Sequence, residues 1–242
     1  MSYNLTYKPF GEQAILIEWP SRIDLKISNN IIAFKNAIES FQQEKIADSI
    51  IGYSSLTLKY NDNLEDVCQE IAVLKSIYAT PFFKRNTLSF NWQVPVCYEK
   101  EFGLDLQEMS DKSTLPIDKI IRLHVASTYT VYFIGFLPGF LYLGGLDEKL
   151  VTERKSTPRL KVSKGAVGIG GSQTGIYPTT SAGGWNIIGK TPISFFDIEK
   201  ETPCFASPGD TIQFVSVSLS EYKMIEKQVL ANTYVLKKNR QQ

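Results

Sequence analysis

The chain has 242 residues and a mass of 27.3 kDa, with 43% apolar side chains and a formal charge of +1 from 26 basic and 25 acidic residues. That apolar fraction supports a packed core and excludes wholesale disorder, and the balanced charge argues against a globally basic nucleic-acid binder. No apolar run approaches the ~18 residues of a membrane helix, and Met1-Ser2-Tyr3-Asn4 opens no signal-peptide pattern, so a cytoplasmic protein without membrane contact is expected.

In chain order, residues 12–19 (EQAILIEW) predict a largely buried strand after the turn at Gly11. Asp24 to Lys45 predicts a helix, because Ile27, Ile31, Phe34, Ile38 and Phe41 recur at spacings of four and three. Residues 54–60 alternate as a half-buried strand. Asp62 followed by Glu65 reads as a capping box ahead of a helix whose stripe is Leu64, Val67, Ile71, Leu74 and Tyr78. Strand, helix, strand, helix predicts a small α+β domain of ferredoxin-like type over residues 1–86, with the join at Pro81 to Asn86. A second domain, 87–242, opens on the strand WQVPVCY (92–98), where Pro95 marks an edge or an end. Short helices are predicted over 104–111 and from Pro116 to about Ser127. Then TVYFIGF, GAVGIGG, WNIIG, ISFFD and TIQFVSV read as the short strands of a barrel or sandwich. Twelve of the 16 glycines lie between Gly135 and Gly189, which sets this part apart from the first. Residues 221–232 predict a last helix, followed by a frayed basic tail, LKKNRQQ.

Several motifs carry candidate chemistry. Gly184 to Thr191 satisfies G-x-x-x-x-G-K-[ST], yet its middle holds Trp185, Ile187 and Ile188, and Pro192 stands where a helix would start, so a strand and turn are expected rather than a phosphate loop. GIGGSQTGIYP (168–178) places Gly170, Gly171 and Gly175 beside the polar groups of Gln173, Thr174 and Tyr177. It reads either as a tight barrel corner or as a cradle for a polar substrate. ERKSTPRLKVSK (153–164) carries five basic residues against one acidic residue. Its Arg159 and Lys164 stand between anion binding and an ordinary solvated face. The single histidine, His124, is either a core imidazole or the one side chain with a near-neutral proton. GFLPGFLYLGGLD (135–147) reads as a buried loop or as the apolar wall of a pocket or interface, with Tyr142 and Asp147 as its polar members. Cys68, Cys97 and Cys204 are odd in number and far apart, which fits free thiols; with one histidine they assemble no zinc site, and no metal is expected.

VPVCYEKEFGLDLQEM (94–109), GFLPGFLYLGGLD (135–147), TPRLKVSKGAVGIGGSQTGIYP (157–178), SAGGWNIIGKTPISFFD (181–197) and SPGDTIQFVSV (207–217) together resemble the KipI/PxpB family. Its members are the B-type subunit of the prokaryotic ATP-hydrolysing 5-oxoprolinase, also called allophanate hydrolase subunit 1 or carboxyltransferase subdomain C/D. The resemblance implies a cyclophilin-like β-barrel for the second domain. It implies PxpC-like and PxpA-like partner subunits and ATP-driven opening of 5-oxo-L-proline to L-glutamate, with ATP used by the complex. Inhibition of a sensor histidine kinase, or a place in an allophanate or urea-amide hydrolase, are the alternatives it carries. Ala182 and Ser163 stand where the family usually has proline, in loops. On the shared motif positions, the chemistry of charge stabilisation and proton transfer nominates His124, Asp147 and Arg159 as catalytic. Lys164, Gly170, Gly171, Gln173, Thr174, Tyr177 and Trp185 are nominated for substrate binding.

Overall fold

A computed structural model describes residues 2–80 and 89–240, and the chain divides into two compact units, Met1–Thr87 and Leu88–Gln242. The join expected at 81–86 lies outside the described residues. Among the described residues no helix is long and apolar enough to cross a membrane, and no cluster of His, Cys, Asp and Glu is placed to hold a metal ion.

The first unit runs β1 (Thr6–Pro9), β2 (Ala14–Glu18), α1 (Leu25–Gln42), β3 (Ile46–Ile51), β4 (Ser55–Tyr60) and α2 (Val67–Ala79). Its antiparallel sheet has the order β1-β2-β4-β3. Ile15 and Ile17 of β2 and Leu56 and Leu58 of β4 are fully buried, as period-2 alternation requires. Ile27, Ile31, Phe34 and Ile38 bury the stripe of α1, but Phe41, in the last turn of the helix, is 70% exposed. Asp24 caps α1 by accepting from the Lys26 amide at 2.8 Å. The second helix starts later than the Asp62–Glu65 pair suggests: its cap is Asp66, which accepts from the Gln69 amide at 2.9 Å. The ferredoxin-like plan is matched only in part. The edge strand beside β2 is β1, which comes before the first helix instead of after the second.

The second unit contains β5 (Phe90–Val96), α3 (Leu106–Ser113), α4 (Ile117–Ala126), β6 (Thr128–Ile134), β7 (Leu141–Gly144) and a short 3-10 turn at Glu148–Leu150. It continues with β8 (Arg159–Val162), β9 (Ala166–Gly170), β10 (Gln173–Ile176), β11 (Ser181–Gly183), β12 (Asn186–Lys190), β13 (Thr211–Ser216), α5 (Leu219–Leu230) and β14 (Lys238–Arg240). Eight strands form one mixed sheet in the order β12-β9-β10-β7-β6-β13-β5-β14, and β8 and β11 make a separate ribbon. Among the described residues no ladder closes the sheet into the expected barrel. Beyond the end of β5, a single antiparallel bridge joins Cys97 to Lys190 of β12, and their amides and carbonyls exchange two 2.9 Å hydrogen bonds. Pro95 fits within β5 because β14 covers that strand only as far as Gln93, whose amide donates to the Lys237 carbonyl; past that point the missing amide breaks no ladder. Residues 238–240 of the tail are therefore not frayed: as β14 they pair with Phe90–Trp92, and Lys238 lies over the rings of Phe90 and Trp92 at 4.4 and 5.0 Å. ISFFD forms no strand, although Phe195 is 1% exposed; it is buried irregular chain. Ser218 and Glu221 form a capping box on α5.

Candidate functional site

The richest cluster of polar and aromatic groups lies over β9, β10 and β12. On β9 and β10, Val167, Ile169, Thr174 and Ile176 point into the main core of the second unit, so Gly168, Gly170 and Gly175 occupy the opposite face. A Cβ on Gly170 would stand 2.5 Å from Trp185 Nε1, and one on Gly175 would stand 3.0 Å from Trp185 Cζ3. The Trp185 indole therefore lies on a floor cleared of side chains, and it is 5% exposed. Phe140 and Tyr177 meet it edge-on, with ring centroids at 5.6 and 6.4 Å. Arg154 lies 5.7 Å from the ring centre. A Cβ on Gly183 would collide with the Tyr177 hydroxyl. The room at Gly170 and Gly175, which could have cradled a polar substrate, is filled by the chain's own Trp185, and that at Gly183 by Tyr177. Burial raises the Tyr177 phenol, while the Trp185 backbone and the charges of Arg154 and Arg159 pull it part of the way back.

Arg159 stands beside this cluster, at the start of β8. Its Nη2 donates to Asp105 Oδ1 at 2.7 Å, and Lys155 Nζ reaches the same oxygen at 2.9 Å. The Ile187 amide donates to Asp105 Oδ2 at 2.6 Å. Asp105 is 2% exposed. Burial alone would raise its carboxyl, but the hydrogen bonds from Arg159, Lys155 and Ile187 outweigh that and hold it below the usual carboxylate range. Arg159 Nη1 is buried and has no partner, and the same holds for Gln173 Oε1. Such orphaned groups are rare in folded proteins, and a ligand that completes them recovers the cost of burying them. Asn186 fastens the segment carrying Arg154, donating to the carbonyls of Glu153 and Ile169 at 2.9 and 3.2 Å.

His124 is not part of this arrangement. It is fully buried, stacked on Phe214 at 4.6 Å, and closed into a hydrogen-bond chain. Thr174 Oγ1 donates to the Gly168 carbonyl at 3.0 Å, which uses its only proton. His124 Nε2 must then donate to Thr174 Oγ1 (3.0 Å), leaving Nδ1 to accept from the Tyr98 hydroxyl (2.7 Å). Burial drives the imidazole down to about 3. The expected proton carrier is a neutral structural group, and Thr174, expected at the substrate, is its partner in the core.

The remaining candidates scatter. Asp147 caps the 3-10 turn by accepting from the Lys149 amide at 2.9 Å. Lys164 is exposed and bonds Ser194 at 3.2 Å. Gly171 turns the β9–β10 hairpin at φ +64° and pairs with Thr152. Gly184 to Thr191 is mostly β12, and the amides of Ile187, Lys190 and Thr191 are spent on Asp105, Cys97 and Gly165, so they cannot cradle a phosphate. Asp105, inside the 94–109 block, and Arg154, inside the basic run 153–164, join the cluster although neither is nominated as a site residue from sequence. A hollow of about 630 Å³ lies elsewhere, along α1 and β3, but two of its charged members, Lys35 and Glu39, pair with each other at 2.7 Å, and the third, Asp48, accepts from the Ser49 amide at 2.8 Å. Ser49 Oγ in that hollow is also buried without a partner, so the Trp185–Arg159 cluster is the stronger candidate because its orphan, Nη1, belongs to a guanidinium, a charged group that a ligand anion completes.

The glycine floor gives a direct expectation. Gly170→Ala should cost about 1–3 kcal/mol, because the methyl overpacks a buried ring held from both sides. Urea unfolding measures this, and an unchanged midpoint would show that the indole is not seated as described.

Residues 5–206 match the family model "Carboxyltransferase domain, subdomain C and D". The chain is 32% identical over 237 residues to the B-type 5-oxoprolinase subunit of Bacillus subtilis, covering 92% of this chain and 97% of that protein. It is 36% identical over 211 residues to the B-type 5-oxoprolinase subunit of Haemophilus influenzae, covering 86% and 95%. Among solved structures, TTHA0988 superposes with a TM-score of 0.74 at 28% identity; the match covers 85% of this chain but spans only 40% of that one. The urea amidolyase of K. lactis superposes with a TM-score of 0.82 at 19% identity over 99% of this chain and 16% of that one, which shows a shared fold.

Proposed function

We infer that this chain, which belongs to the carboxyltransferase domain, subdomain C and D, family, works as the B-type subunit of a 5-oxoprolinase. The observation that carries the reading is the near full-length match to two proteins of that name. The cluster around Arg159 supports it chemically. In this reading the assembly, completed by PxpC-like and PxpA-like subunits, uses ATP to open 5-oxo-L-proline to L-glutamate. A lactam resists water because resonance stabilises the amide. Transfer of the γ-phosphoryl group to the lactam oxygen makes the ring carbon electrophilic. Water then adds there, and breaking the C–N bond frees the amine and leaves the γ-carboxyl as an acyl phosphate; a second water displaces the phosphate, so one ATP and two waters give L-glutamate, ADP and phosphate. The assembly consumes the ATP; no phosphate cradle is assigned to this chain, since the amides of β12 that would form one are already bonded.

This chain's part is to bind and orient. Arg159, half-satisfied by Asp105, clamps an anionic oxygen of the substrate. Tyr177 and Trp185 form the wall beside it, and Gln173 Oε1 supplies a free acceptor on β10. Proton transfer is not assigned to His124 or Asp147, which are a core imidazole and a turn cap. Arg159→Ala should lose a charge-assisted contact of about 1.5–3 kcal/mol, roughly ten- to a hundredfold in kcat/KM. Lys190→Ala should change it by less than about threefold, because the Lys190 ammonium lies over Phe102 and Tyr222, at 5.3 and 5.9 Å, and not in the cluster. ATP-dependent glutamate release by the reconstituted complex measures both. Loss of turnover in Lys190→Ala with an intact Arg159→Ala would move the site to the phosphate-loop pattern.

A further inference from the structure

Asp105 has two oxygens, and the fold has already spent one of them. Oδ2 is taken by the Ile187 amide at 2.6 Å, which fixes the carboxylate plane against β12. Lys155 competes for Oδ1 at 2.9 Å. A guanidinium facing a free carboxylate pairs through two parallel bonds, one to each oxygen. Arg159 cannot do so here, and it forms a single end-on bond through Nη2. Its second prong, Nη1, stays buried and without an acceptor. Asp105 sits just ahead of α3, 54 residues before Arg159 and 82 before Ile187, so this one carboxylate joins α3, β8 and β12 beside the Trp185 wall. We propose that Asp105 is a positioning residue: it holds Arg159 by one prong so that Nη1 is left to receive the carboxylate of the lactam substrate. The proposal rests on the ring-opening reading above, and it adds a residue and a ligand group to it.

The test compares two ligands of the reconstituted complex by calorimetry without ATP: 5-oxo-L-proline, and 2-pyrrolidinone, the same lactam without the carboxylate. The wild-type complex should prefer 5-oxo-L-proline. Asp105→Asn keeps the shape and loses the charge; it should weaken 5-oxo-L-proline about tenfold or more and 2-pyrrolidinone by less than about threefold. Arg159→Lys keeps a cation for Asp105 but has no second prong, and it should reduce the preference to the same degree. The double variant should lose little more than either single one, because both act through one contact. A purely structural Asp105 would weaken both ligands equally, and that result overturns the proposal. So does an Arg159→Lys complex that keeps the wild-type preference, which decides the matter even where Asp105→Asn fails to assemble. A wild-type complex that shows no preference also overturns it. A wild-type complex that shows the preference and its loss in the variants, yet releases no glutamate with ATP, would sink the ring-opening reading and leave Asp105 standing.

Discussion

Trp185→Ala is expected to destabilise the chain by about 3–5 kcal/mol, the range for emptying a buried aromatic site. The indole is 5% exposed and rests on Gly170 and Gly175, with Phe140 and Tyr177 edge-on to it. Glycine floors cannot collapse to fill the space, since they have no side chains to move. The loss should therefore fall at the upper part of that range. Trp185→Phe keeps a ring in the site and should cost less than half as much. Urea unfolding of the chain measures both. A loss below about 1 kcal/mol for Trp185→Ala would mean that the site repacks, and that the glycines are not there for the ring.

Acid should unfold the second unit through His124. The imidazole is buried neutral, and its pKa falls from 6.5 to about 3. In the unfolded chain it takes up a proton near pH 6.5, and in the folded chain only near 3. The sign follows: a depressed folded pKa gives stability that is complete above pH 6.5 and is lost as pH falls toward 3. The slope is about 1.4 kcal/mol per pH unit. Between about pH 6.5 and 4.5 the loss through this one group is about 2–3 kcal/mol. Carboxylates add their own acid dependence, so the wild type is compared with His124→Gln, whose amide still offers a donor and an acceptor but takes no proton. The variant should be less stable at about pH 7.5, and the gap should narrow by about 2–3 kcal/mol as pH drops to about 4.5. Parallel curves would mean that the imidazole is protonated in the fold, or reachable by water.

Local patterns are readable where one segment decides its own structure. The four-three spacing of Ile27, Ile31, Phe34 and Ile38 locates α1, and the alternation around Leu56 and Leu58 locates β4. Phe195 shows the limit. Its segment is apolar and β-rich, yet composition cannot separate a buried strand from buried irregular chain. The basic tail looks frayed in sequence because its partner strand is remote: Lys238 pairs with Trp92 of β5, and nothing local signals that contact. The site follows the same division. Arg159, Gln173, Tyr177 and Trp185 are legible as a polar and aromatic group set among glycines. Which atoms fill the glycine space is not legible, because that depends on β12 lying beside β9 in the fold. His124 stands open between core and catalysis until its hydrogen-bond chain to Tyr98 and Thr174 decides it. Asp105 lies in the 94–109 block that carries the family resemblance, but nothing local marks it as a site residue. It is an ordinary aspartate at the start of a short helix until β8 and β12 bring Arg159 and Ile187 to it.

The most direct test of the assigned function is an omission experiment. PxpA-like and PxpC-like subunits from the same organism are combined with 5-oxo-L-proline, ATP and magnesium, with and without this chain, and glutamate and phosphate are measured together. Glutamate and phosphate should appear in equal amounts when the chain is present and fall to background when it is left out. Equal turnover in its absence, or no glutamate in its presence from subunits shown to assemble, would contradict its assignment as the B-type subunit of a 5-oxoprolinase.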